Sequence, residues 1–101
     1  MASDEVPSDA ELLARLRAGD SRAYETLVRA ESPKLLRVLR RIVGSEDEAR
    51  DALQEAFMTA FRALAAFDGR SRVSTWLYRV AVNAGLMRLR RRKHLSECSV
   101  E

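Results

Sequence analysis

Four side chains on one strip of a predicted helix are the first candidates for chemistry. Asp51, Gln54, Glu55 and Met58 recur at i, i+3, i+4 and i+7, which at 100° per residue puts them on one face. Two carboxylates invite an acid–base reading, but no His, Lys or Cys accompanies them at catalytic spacing and both are expected to be solvated. A polar strip is most often just a solvated face. Met58 argues for more, because a flexible thioether amid polar groups is typical of an adaptable contact surface. A second set is cationic. Arg79, Asn83 and Arg90 share a face of the next predicted helix, with Leu86 beside them, and an amide between guanidinium groups suits base edges and phosphates together. Arg88, Arg90, Arg91, Arg92 and Lys93 crowd the end of that helix. Cations complement a helix C-terminal dipole, yet five in six residues exceed what a cap needs. A third set is the connection Phe67-Asp68-Gly69-Arg70-Ser71-Arg72-Val73, with Phe61, Trp76 and Tyr78 close by. Arginine stacking and backbone groups could hold an unstacked base there; Asp68-Gly69 also suits an ordinary helix–helix turn. His94 and Cys98 supply two ligands where a tetrahedral site needs four, so neither metal nor cofactor is expected, and no enzyme.

The elements that must carry these residues read as four helices, 9–18, 20–43, 46–67 and 74–93. Gly19, Gly44 and Gly69 each follow an apolar-periodic segment, where glycine terminates helices. Ser8 with Glu11, and Ser45 with Glu48, have capping-box spacing. Pro33 is expected to break or kink the second helix near Glu31–Ser32. In the third helix Ala49, Leu53, Ala56, Phe57, Ala60 and Leu64 form an apolar stripe that ends near Phe67. In the fourth, Val73, Trp76, Leu77, Val80, Ala84 and Met87 form the core face, Ser74 is the expected N-cap, and Val73 with Tyr78 has staple spacing. Trp76, mid-stripe, reads as a core anchor. No segment alternates as a strand does. Residues 1–8 and 94–101 lack periodicity and read as flexible ends. The expected fold is a compact all-α bundle of about four helices in one domain.

Composition sets the frame. In 101 residues, 47% are apolar and 33% charged, too apolar for disorder and without collagen-like or low-complexity bias. No apolar run reaches the roughly 18 residues of a membrane span, and Met1–Asp9 lacks a signal peptide's pattern. A lone cysteine fits a reducing cytoplasm. The net charge of +3 hides an asymmetry. Residues 51–101 hold nine basic and five acidic side chains, and between Arg70 and Lys93 there are eight basic residues and no acidic one. Such a stretch repels itself without an anion. Nucleic acid is the most economical partner; an acidic membrane surface is second, and weaker because the helix spends its apolar face on the core.

Asp51-Ala-Leu-Gln-Glu-Ala-Phe57, Phe61-Arg-Ala-Leu64, Phe67, and Ser74-Thr-Trp-Leu-Tyr-Arg-Val-Ala-Val-Asn83 together resemble conserved region 2 of bacterial sigma factors, in the extracytoplasmic-function (ECF) branch of the sigma-70 family. The resemblance covers about residues 9–93. It implies a transcription initiation domain whose third-helix strip (Asp51, Gln54, Glu55, Met58) docks on the clamp helices of the RNA polymerase beta-prime subunit. It further implies that Phe67, Asp68, Gly69, Arg70, Ser71, Arg72 and Ser74 capture a flipped non-template base of the promoter −10 element. Arg79, Asn83, Arg90, Arg91, Arg92 and Lys93 would then contact upstream duplex or backbone. An anti-sigma factor is an implied partner; a membrane is not. Phe61 stands where the family commonly has tryptophan, read as a core change, and Met87 where aspartate is usual. The family's helix-turn-helix second half, region 4, is missing, and 94–101 resembles at most the start of its linker. The expectation is a dissected domain. The alternative is a sigma-like interaction module that binds polymerase or an anti-sigma factor without melting DNA.

Overall fold

The computed structural model describes residues 8–99, except the side chains of 96–99. Four α-helices and one 3-10 turn account for the fold: α1 (Asp9–Arg17), α2 (Ser21–Val43), α3 (Glu46–Ala63), the 3-10 turn Leu64–Ala66, and α4 (Val73–Ser99). No strand occurs among the described residues. The all-α expectation holds, and the expectation for residues 1–7 lies outside what is described.

Local chemistry sets the helix starts. Ser8 and Ser45 accept from the amides of Glu11 and Glu48, as their spacing predicts, and Asp20 accepts from those of Arg22 and Ala23. Gly44 ends α2 at φ +78°, a left-handed conformation that costs glycine nothing. Ser45 follows at once as the next cap, so α2 and α3 fold back through a minimal turn. Arg40 reaches Glu46 across it, and Arg50 pairs with the same carboxylate from one turn further along α3. The hydrogen bond from Arg40 holds the Glu46 carboxyl below its ordinary titration range.

Pro33 does not break α2, which runs unbroken past it. A proline inside a helix costs about 3 kcal/mol. Beyond it Leu35, Leu39 and Val43 are almost completely buried, and each contributes about 1.5–3 kcal/mol of burial, so packing outweighs the lost hydrogen bond. The third helix ends at Ala63 rather than continuing to Phe67, and a 3-10 turn carries the chain onward. The fourth begins at Val73, which puts Ser74 inside its first turn and not at the N-cap. The expected staple is absent too: Val73 is sealed beside Leu13, Leu16 and Phe67, while Tyr78 is exposed. At its far end α4 continues past Lys93 to Ser99, where the sequence suggests a fraying tail; no Gly or Pro stands between Lys93 and Ser99.

Two apolar clusters hold these elements. The larger joins α2, α3 and α4 around Leu35, Leu39, Ala52, Ala56, Phe57, Leu77 and Ala81. The smaller seats α1 against Leu64, Phe67 and Val73. Trp76 packs against both, in keeping with a core anchor. Met87 belongs to neither. It is 53% exposed, and Ala81 and Gly85 take the buried positions on α4.

Gly85 shows how closely the helices approach. A Cβ built there would lie 2.8 Å from Leu39 Cδ2 and 3.1 Å from Ile42 Cγ2, and Leu39 is fully buried with nowhere to move. Alanine improves helix propensity by about 1 kcal/mol, whereas overpacking costs about 1–3 kcal/mol. Gly85→Ala is therefore expected to destabilise the fold by about 1 kcal/mol in urea denaturation, against its propensity; a stabilised variant would show that α2 and α4 can spread apart.

Candidate nucleic-acid and protein interface

Burial sorts the predicted site residues into those that can meet a partner and those that cannot. On α3, Gln54 and Met58 are exposed, Met58 by 52%. Asp51 and Glu55 share the strip but not the expected freedom. Arg88 of α4 lies across them, 24% exposed, with Nη2 at 3.3 Å from Asp51 Oδ2 and Nη1 at 3.3 Å from Glu55 Oε1. Its Nε stands 3.8 Å from Glu48 Oε1. Arg91 reaches Glu55 at 3.7 Å. Arg92 reaches Glu48 at 2.6 Å and donates to the Val43 carbonyl, which closes the end of α2. The carboxylates expected to be simply solvated are thus tied to the cationic helix.

The same contacts divide the basic run. Arg91 and Arg92, both exposed, also reach carboxylates of α3. Arg90 and Lys93 are exposed, and no hydrogen bond or ion pair engages them among the described residues. Arg79 and Asn83 are exposed as well, on the side of α4 that carries Leu86 and Arg90. Part of the +8 stretch therefore finds its anions within the fold. The sequence signal for Arg88 was available: it lies one helical turn beyond Ala84 and two beyond Ala81, on the buried side of α4.

The connection 67–72 is the third component. Phe67 is 7% exposed and stacks on Trp76 at a centroid distance of 4.6 Å. It forms a floor beneath the loop. Above it lies an open depression of about 370 Å³ lined by Phe67, Trp76, Asp68, Arg70, Ser71 and Arg79. Asp68 orders the turn by accepting from the Arg70 amide and pairing with its guanidinium at 3.3 Å. Gly69 takes φ +78°. Arg72 is exposed, and Ser74 lines a separate hollow with Glu31, Lys34, Thr75 and Tyr78.

Phe61 is 44% exposed and stacked on Tyr24, at 3.6 Å and 13°. It is a surface aromatic and not a core replacement. Partial burial raises the Tyr24 phenol above its ordinary value. Among the described residues no group of three or more His, Cys, Asp or Glu could hold a metal ion, and no helix is long and apolar enough to cross a membrane. His94 is exposed; the Cys98 side chain lies outside the described residues.

This arrangement has known counterparts. The sigma-70 region 2 family model matches residues 27–95, and the chain belongs to that family. Its relatives place it in the ECF branch. It is 45% identical over 75 residues to the RNA polymerase sigma-H factor of Pseudomonas aeruginosa, covering 74% of this chain and 39% of that protein. To the ECF RNA polymerase sigma factor SigM of Mycobacterium tuberculosis it is 45% identical over 86 residues, covering 85% and 44%. Among solved structures it is similar to an engineered region 2 of sigmaE, determined by NMR in complex with GTAAAA. The TM-score is 0.73 at 41% identity, covering 82% of this chain and 86% of that one. The chain spans about two fifths of the length of the curated relatives it matches.

Exposed ion pairs contribute about 0.2–1 kcal/mol each, and a network raises that share. Arg88→Ala is accordingly expected to cost about 1–2 kcal/mol at low salt and less at high salt, where screening weakens the pairs. Arg88→Met should recover part of the loss by keeping the stem packed. A loss unchanged by salt would assign Arg88's contribution to packing alone.

Proposed function

We propose that this chain is a promoter-recognition domain of a transcription initiation factor, docking on RNA polymerase through α3 and reading −10 DNA through the 67–72 loop and α4. The observation that carries the reading is the likeness to a region 2 solved in complex with GTAAAA, at 41% identity over most of both chains. Gln54 and Met58 are the freely exposed part of the docking strip, and the polymerase surface expected there is the clamp of the beta-prime subunit. The depression above Phe67 and Trp76 suits a flipped base edged by Asp68, Arg70, Ser71 and Arg79. Arg79, Asn83, Arg90 and Lys93 suit the flanking backbone. Capture of an unstacked base contributes about 1–3 kcal/mol through stacking, comparable with the few kcal/mol that unstacking costs. The domain itself makes and breaks no bond. Such work places it in the cytoplasm, with an anti-sigma factor as a natural regulator of its docking strip.

Docking is tested by binding to purified bacterial core RNA polymerase. Gln54→Ala with Met58→Ala is the informative variant, because Glu55→Ala would also release Arg88 and Arg91. Wild type should bind and the variant should lose about tenfold or more, since anchors of this kind contribute 1–2 kcal/mol or more. Equal binding by a folded variant would return the strip to a solvated face.

The DNA half is tested with single-stranded GTAAAA, alone and with polymerase. Affinity should fall with salt by about 0.7 log units per log unit for each phosphate neutralised, and Arg79→Ala should flatten the slope by about one such unit. One observation favours the alternative of an interaction module that does not melt DNA: Arg88, Arg91 and Arg92 are already engaged within the fold. That reading gains if Arg79→Ala with Asn83→Ala changes nothing while polymerase docking persists.

A further inference from the structure

We infer that α1 is the template on which the 67–72 loop is set, with Asp9 and Arg17 as positioning residues for base capture; the inference rests on the DNA-binding reading above. α1 precedes residues 27–95, where the family model matches, yet it contacts the loop at both ends and in the middle. The Asp9 carboxylate accepts from the Val73 amide with both oxygens, at 3.2 and 2.9 Å. Val73 opens α4, so Asp9 satisfies one of the orphan amides of a helix that Ser74 does not cap. At the other end the Arg17 guanidinium donates to the Phe67 carbonyl. Between them Leu13 lies under Gly69, its Cδ2 3.6 Å from where a Cβ would stand. Asp9, Leu13 and Arg17 are spaced i, i+4 and i+8, so one narrow face of α1 makes all these contacts.

The spacing explains why a helix does this work. An exposed loop with one internal side-chain turn, Asp68 to the Arg70 amide, would sample many shapes and lose entropy on binding. Fixing its first carbonyl and its last amide to a rigid rod removes that loss in advance. Phe67 and Val73, the residues whose backbones are held, are also the loop's two buried ends. Between these anchors Asp68, Arg70, Ser71 and Arg72 are left to face outward, beside Arg79.

The whole chain serves for the test. Asp9→Ala with Arg17→Ala removes both anchors. Asp9→Asn with Arg17→Lys keeps an acceptor and a donor in place. Leu39→Val loosens the core far from the loop and controls for general stability. The readouts are amide exchange at Val73 and Arg70, affinity for single-stranded GTAAAA, and docking on core polymerase. The double alanine variant should exchange about tenfold faster at those amides than wild type while α3 core amides keep their rates, and lose about tenfold in oligonucleotide affinity with docking unchanged. The conservative pair should recover most of both effects, and Leu39→Val should leave oligonucleotide affinity as it is. Wild-type affinity in the double alanine variant overturns the inference. So does an equal loss in Leu39→Val at matched melting temperature, which would make the effect one of stability. Should the double variant not fold, Arg17→Ala alone carries the same comparison. If wild type binds no oligonucleotide even with polymerase, the DNA reading fails, and the exchange rates decide separately whether α1 sets the loop: unchanged rates overturn it.

Discussion

Ala49, Ala52, Ala56 and Ala60 of α3 and Ala81 and Gly85 of α4 are almost sealed from solvent, and the separation of the three long helices depends on them. Small side chains let helix backbones approach until larger neighbours fill the gaps, as Leu39 and Ile42 do at Gly85. Once α3 lies that close to α4, Arg88 can span from one helix to three carboxylates of the other. Contacts such as Glu48 with Arg92 and Asp51 with Arg88 show that α3 and α4 run antiparallel. α2 runs alongside α4, as Leu39 against Gly85 and Val43 against Arg92 require. The tight Gly44–Ser45 turn makes this arrangement possible with no loop to spare.

From that packing follows the division of the surface. One side of α4 is spent on the core, one on the carboxylates of α3, and one is left to solvent with Arg79, Asn83, Leu86 and Arg90. A helix of 27 residues extends about 40 Å, enough for its first turns to border the loop and its later ones to track a polyanion. The cations thus differ by environment. Those facing α3 gain from partly shielded pairing, and those facing outward keep their full hydration and their availability.

Much of this was legible in residue types and spacing. Helix number, the caps at Ser8 and Ser45, the glycine stops after the first two helices and the α3 stripe all follow from local rules, and the structure bears them out, whereas Gly69 lies beyond the end of α3. The misses share a cause: each depends on a neighbour distant in sequence. Pro33 looks like a break until the burial of Leu35 and Leu39 is weighed against it. Ser74 looks like a cap until Asp9 arrives from α1 at the Val73 amide, 64 positions from it in sequence. Met87 fits the α4 stripe by angle, but by that height the helix faces α2 and α3 through Gly85 and Arg88. That Phe67 packs on Trp76 and fixes the loop's first end is likewise a contact its type alone does not show. Periodicity reports which face is apolar; it is silent on which partner each face meets.

The pairing across α3 and α4 also sets a condition on any partner of the strip. Glu55 serves Arg88 and Arg91 together, so a basic group from outside gains only the difference between its own pairing and theirs. Gln54 and Met58 carry no such cost, because neither must give up an internal partner. Binding energy at the strip therefore has to come chiefly from the amide and the thioether, while the carboxylates supply orientation and a salt-sensitive increment. By the same reasoning, a cation that did displace Arg88 and Arg91 would leave two guanidinium groups without their anions on the side of α4 that faces α3.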